Sequence, residues 1–231
     1  MKAHHKFGKV FEDAGIPIAY CKVETFEDYL ELLKKFTSLT GNEEAYETYG
    51  LKVQTSIQEL LNLVDQNIED GPSYLLLRAL TKGPKAMTRD HQVLDMLDNL
   101  KCHSIMEGKE SKLEDLSLEE IYLQNPDYIF VITTGRSDQA LDVFREQFKE
   151  HEIWDKLKAV QDDHVYLLPT KLFHYKPNEK WAESYRYLAE ILYPELFENQ
   201  SDTTDAPDVA DTTDATDTAE ENPPLDDSGL D

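Results

Sequence analysis

Cysteine is nearly absent from this 231-residue chain: Cys21 and Cys102 are the only two, far apart, with no CxxC pair. A zinc cluster of paired cysteines is therefore not expected. Spacing alone leaves a disulfide between them undecided, and two buried free thiols are the simpler expectation. Basic residues are scarce as well, with 23 Lys and Arg against 47 Asp and Glu and a net charge of −24. Nucleic-acid phosphates demand clustered Lys and Arg, so that balance argues against a nucleic-acid partner. No apolar run approaches the length of a transmembrane helix. GxSxG, HExxH, Walker and dinucleotide motifs are all lacking, and among 47 acids no carboxylate couple stands out. An enzyme is not expected, nor a resident cofactor. Met1 to Val10 has lysines and histidines but no apolar stretch, so it does not read as a signal peptide. Ile18-Ala19-Tyr20-Cys21 superficially suggests a lipidation site, but Tyr20 is too bulky there; Cys21 is expected in or just after a buried strand.

From Asn199 onward there is no aromatic, lysine or arginine. The segment holds nine Asp and two Glu, 11 of the 24 net negative charges, which leaves 24 − 11 = 13 on the rest. Such a sequence has too little apolar surface to offset its ordering entropy, and residues 199–231 are expected to be disordered. Asp202, Asp205, Asp208, Asp211, Asp214 and Asp217 recur at every third position; a solvated linker explains them better than calcium binding.

The remaining chain alternates strand and helix signals. Ile16 to Val23 reads as a strand, and Thr25 caps a helix with Phe26, Tyr29, Leu30, Leu33 and Phe36 on one face. Gly41 ends that helix, and Asn42 caps a long one running to about Asn67, roughly 40 Å at the standard rise. Strands follow at Tyr74–Leu77, Tyr128–Ile132 and Val165–Leu168. Helices are expected from about Arg89 to Leu100, with Thr88 as cap, from Ser137 to about Glu150, and after Asn178. Leu116-Ser117-Leu118-Glu119-Glu120-Ile121 is a capping box with a hydrophobic staple, and Asn125-Pro126 closes its helix. Strands joined by crossover helices predict an α/β fold, a parallel sheet wrapped by helices on both faces.

Five segments occur in a family's characteristic order: AGIPIAYCKVETFEDYLELLKKFTSLTG, a long helix, YLLLRALTKGPKAMTRD, LSLEEIYLQNPDYIFVITTG and VYLLPTKLFHYKPNEKWAESYRYLAEILYP. Together, from about Gly15 to Phe197, they resemble the C-terminal part of a type III substrate-binding protein of bacterial ABC importers, the group that captures ferric siderophores, haem and cobalamin. The resemblance implies residues 1–41 as the remnant of an N-terminal lobe, 42–70 as a lobe-linking helix, 71–198 as a C-terminal α/β lobe and 199–231 as an acidic tail. It implies a chain truncated or misassigned at its start, an ABC permease as partner, and a place on the extracellular face of the membrane. The chain itself, without an export signal, would stay in the cytoplasm if its start is genuine. A cytoplasmic α/β ligand sensor or cofactor-handling enzyme is the alternative.

In an acidic chain, Arg78, Lys82, Lys85 and Arg89 crowd one short stretch in which Asp90 is the only acid. Arg78 falls at a strand's carboxyl end, where α/β proteins bind ligands. Arg78 and Lys85 are therefore candidate contacts for an anionic iron chelate, the alternative being a solvated loop. His174 and Tyr175 form a second candidate wall, against the plainer role of packing residues. Thr134 and Arg136 follow the strand Tyr128–Ile132, in an ordinary βα loop without phosphate-cradle spacing. Glu119 lies in an SLE motif that, by the resemblance, docks the lobe onto its permease; compensation of the helix dipole is the alternative.

Overall fold

The computed structural model describes residues 2–108, 113–133 and 137–198. It opens on a helix that the sequence reading did not anticipate, α1 (Lys2–Asp13). Residues 16–24 form no strand, contrary to expectation. A strand needs a neighbour for its backbone N–H and C=O groups, and none of the described strands pairs with this segment. Ile16, Ile18 and Tyr20 are exposed as a result. Cys21 is exposed too, which corrects its placement in a buried strand, whereas Cys102 is buried as expected. Both thiols are free.

Helix α2 (Phe26–Thr40) starts on a full capping box. The Thr25 hydroxyl accepts the Asp28 N–H at 3.2 Å, and the Asp28 carboxylate accepts the N–H groups of Glu24 and Thr25 at 2.8 and 3.2 Å. Gly41, left-handed at φ 69°, ends it. Phe26 does not lack cover, because it is buried edge-on against Trp181, with ring centroids 5.9 Å apart; Phe36 and Leu39, farther along, are exposed. Asn42 then caps α3 (Glu43–Tyr46), which passes through a π-helical turn (Glu47–Leu51) into α4 (Lys52–Asn67). The whole makes a rod of about 37 Å. The widened turn presses the backbone against α2: a Cβ on Gly50 would lie 2.9 Å from a Leu30 methyl and 3.2 Å from a Leu33 methyl. The Tyr29 hydroxyl donates to the Tyr49 carbonyl at 2.9 Å.

The second half is built on β1 (Ser73–Ala79), β2 (Lys85–Met87), α5 (Gln92–Asn99), β3 (His103–Ser104), β4 (Leu113–Glu114), α6 (Leu118–Gln124) and β5 (Tyr128–Thr133). It continues with α7 (Ser137–Phe144), α8 (Lys158–Gln161), β6 (Val165–Leu167), α9 (Thr170–Phe173) and α10 (Trp181–Leu192). The strand order is β4-β2-β1-β5-β6, with β3 beside the start of β1. β1, β3, β5 and β6 run parallel, with Arg78 opposite Ile132 and Ile129 opposite Val165. β2 runs the other way, antiparallel to both of its neighbours β1 and β4, which makes the sheet mixed where a parallel one was expected. The cause is local: only residues 80–84 separate β1 from β2, too few for a crossover and enough for a hairpin. Gly83, at φ 118°, makes that turn.

Alternate residues of β1 and β5 enter two cores. Tyr74, Leu76, Phe130 and Ile132 pack with α4, α5 and α10; Leu75, Leu77, Ile129 and Val131 pack with α6, α7 and Trp154. Both faces of the central strands are thus apolar, as a sheet covered on both sides requires.

Candidate functional site

The carboxyl ends of β1, β5 and β6 lie at one edge of the sheet, so the chain following each strand converges there. Arg78, next to last in β1, shares the face of Tyr74 and Leu76 by strand alternation. It is half-buried, and its Nε is buried without a hydrogen-bond partner. Beyond β6, Pro169 leads into α9, whose end carries His174 and Tyr175. Their rings meet edge to face at 4.6 Å, and Tyr175 stands out into solvent. Burial, and then the Arg78 charge, pulls the His174 pKa below the usual histidine range, so Arg78 and His174 feel one another.

The N-terminus of α5 completes the group. Its cap is His91, not Thr88 as expected: His91 Nδ1 accepts the Val93 N–H at 3.2 Å. Burial foremost, followed by the charges of Lys176, Arg78 and His174, lowers the His91 pKa to about 4. The ring is therefore neutral at physiological pH and serves as an acceptor. A cavity of about 280 Å³ opens beside it, lined by Glu24, Thr25, Arg89, His91 and Asp95 among others. The start of α2 thus forms one rim of that cavity.

The structure brings Arg78 within electrostatic reach of His174, and His174 against Tyr175. Lys85 stands opposite Arg78 in the β1–β2 register, but its Nζ is engaged by the Asp115 carboxylate at 2.8 Å. Thr134 and Arg136 lie outside the described residues. Sequence reasoning missed His91 and Gln92. The available signal was the spacing of His91 from Arg89, on a turn already marked as basic.

Glu119 lies elsewhere, exposed in the first turn of α6. Its neighbour Glu120 is spent on the cap: the Glu120 carboxylate accepts the Ser117 N–H at 2.9 Å, and the Ser117 hydroxyl accepts the Glu120 N–H at 3.2 Å.

Comparison with known proteins gives this arrangement its family. The high-affinity heme uptake system protein IsdE of Staphylococcus aureus (strain MRSA252) is 24% identical over 170 residues, which are 68% of this chain and 58% of that protein. The chain thus spans little more than half the length of that relative. Among solved structures, an ABC transporter substrate-binding protein from Listeria monocytogenes EGD-e superposes with a TM-score of 0.68 at 18% identity, over 82% of this chain and 73% of its own. S. aureus IsdE complexed with heme gives 0.68 at 16% identity, over 79% and 70%. The family model described as periplasmic binding protein matches residues 9–172, and the chain belongs to that family.

Proposed function

We propose that the chain is a solute-binding component of an ABC importer and that it holds an anionic iron chelate at the strand ends, with haem or a ferric siderophore as the ligand class and cobalamin as the less favoured member. The observation that carries this reading is Arg78. Its guanidinium sits at the carboxyl end of a central strand, beside His174 and an exposed Tyr175, in a protein that is otherwise strongly acidic. Guanidinium is the group best shaped for carboxylates and similar planar anions. The exposed ring of Tyr175 offers an apolar face to an aromatic chelate. Lys85, held by Asp115, contributes positive field more than direct contact; Thr134 and Arg136 are proposed as ligand contacts from the loop after β5. Binding and release, without bond making, is the mechanism, and the similarity to a heme uptake protein supports that ligand class.

Delivery is to a membrane permease on the outer side of the cell membrane. Glu119 is proposed as the contact that meets a basic pocket there. Absorbance titration with hemin, a ferric hydroxamate and a ferric catecholate ranks the ligands. Arg78→Ala should weaken the preferred one by about 1.5–3 kcal/mol, the range for a charge-assisted hydrogen bond. Identical affinity in Arg78→Ala would place the site elsewhere.

A further inference from the structure

Gln92 is 1% exposed, a fully buried polar side chain at the strand-end edge. It opens α5, directly after His91. Its Nε2 donates to the Leu172 carbonyl at 3.3 Å and to the Tyr175 carbonyl at 3.1 Å. The two bonds use both amide hydrogens and fix which way the amide faces, because the reverse orientation would set an oxygen against two carbonyl oxygens. They clamp the two ends of the turn that carries His174. Ser184 of α10 donates to the same Leu172 carbonyl at 3.3 Å, so the turn is anchored from two helices.

The other atom of the amide, Oε1, is buried and has no hydrogen-bond partner among the described residues, and the same holds for Arg78 Nε. One is an acceptor and the other a donor. Arg78 acts on the charges of both His91 and His174, which precede Gln92 and the clamped Tyr175 in sequence. The guanidinium, the α5 terminus and the clamped turn are therefore mutual neighbours. A buried polar group without a partner calls for a reason, and here two complementary ones occur within one small group of residues.

We propose that Gln92 is the positioning residue of this wall: its amide hydrogens pin the 172–175 turn that presents His174 and Tyr175, while its Oε1 and Arg78 Nε, not bonded to each other, are left open there. The inference rests on reading this wall as ligand-facing, and two measurements separate the two ideas. Gln92 itself needs no contact with the ligand.

Amide exchange across residues 172–176 tests the clamp without any ligand. Gln92→Leu, of similar volume, should speed exchange there by about tenfold. Gln92→Glu should do at least as much, since it turns a carboxylate toward the two carbonyls. Amides of β1 and β5 should keep their rates in both. Unchanged exchange at 172–176 in Gln92→Leu overturns the proposal. Hemin titration of Arg78→Ala, Gln92→Leu and the double variant tests the coupling. If Gln92 acts by holding the turn, Gln92→Leu should weaken hemin binding by a similar factor in the parent and in Arg78→Ala. Unchanged hemin affinity in Gln92→Leu, with faster exchange at 172–176, overturns its positioning role. Should Arg78→Ala bind hemin like the parent while exchange still rises in Gln92→Leu, the ligand reading fails and the clamp stands.

Discussion

Asp95 shows how a single side chain records its surroundings. It lies on α5 beneath the start of α2, with Oδ2 buried and without a hydrogen-bond partner. Burial, followed by the charges of Glu27, Asp98 and Asp28, raises its pKa from 3.8 to about 6. Trp181 Nε1 is buried and unpartnered in the same way. Asn99 donates to the Tyr185 hydroxyl at 2.9 Å, and one turn back along each helix stand Asp95 and Trp181. The fold thus binds a proton at Asp95 more tightly than the unfolded chain does. The resulting stabilisation is fully present below about pH 4 and is lost as pH rises through about 6. Urea unfolding should therefore show the parent more stable, relative to Asp95→Asn, which cannot ionise, at pH 5 than at pH 7.5. An equal pH effect in the variant would assign it to other groups. His91, held at about 4 in the fold, takes a proton at pH 5 only in the unfolded chain; its effect runs the other way and is common to parent and variant.

At the scale of elements, legibility followed locality. The box at Ser117–Glu120, the Thr25 and Gly41 caps and the apolar run of β5 were all readable, because each is decided by neighbours within a few residues. Ile16 to Val23 failed for the opposite reason: its apolar pattern suits a strand, but strands exist only in pairs, and its pairing lies beyond the segment itself. The antiparallel β2 was hidden in a stretch read for its charge, although Gly83-Pro84 marks the turn. At the candidate site, Arg78 was legible as a cation at a strand end, and His174 and Tyr175 as a polar aromatic pair in the chain after β6. Gln92 was not, since a glutamine at a helix start carries no signal until the carbonyls it meets are known. Helix α6 carries its own prediction. Leu118 and Ile121 are buried, whereas Glu119 faces outward together with Tyr122 and Leu123, three and four residues on. With Glu119 as the permease contact, Glu119→Lys should leave hemin affinity unchanged and reduce iron-chelate uptake by cells about tenfold or more, as charge reversal against a basic pocket implies. Undiminished uptake would leave Glu119 as a helix-dipole residue only.

Over the whole molecule, charge and site oppose one another. On the proposed reading, the net −24 repels an anionic ligand at long range, while Arg78 and its neighbours attract it at short range. Residues 199–231 carry 11 of those negative charges, so a chain ending at Glu198 should capture hemin faster at low ionic strength. Stopped-flow rates of the two forms should converge as salt approaches about 0.15 M, where screening sets in within about 8 Å. A rate difference that persists at high salt would mean that the tail acts by contact instead of by field. The rod from Glu43 to Asn67 has a further implication through its π turn. That turn holds one residue more than an α turn. Removing one residue from Glu47–Leu51 would turn it into an ordinary α turn with the flanking faces still in phase, and what would be lost is the widening that sets Gly50 against Leu30 and Leu33. Chain length at this point therefore decides how closely the rod approaches α2, and a single-residue deletion that most helices would not tolerate is here one that the helix itself can absorb.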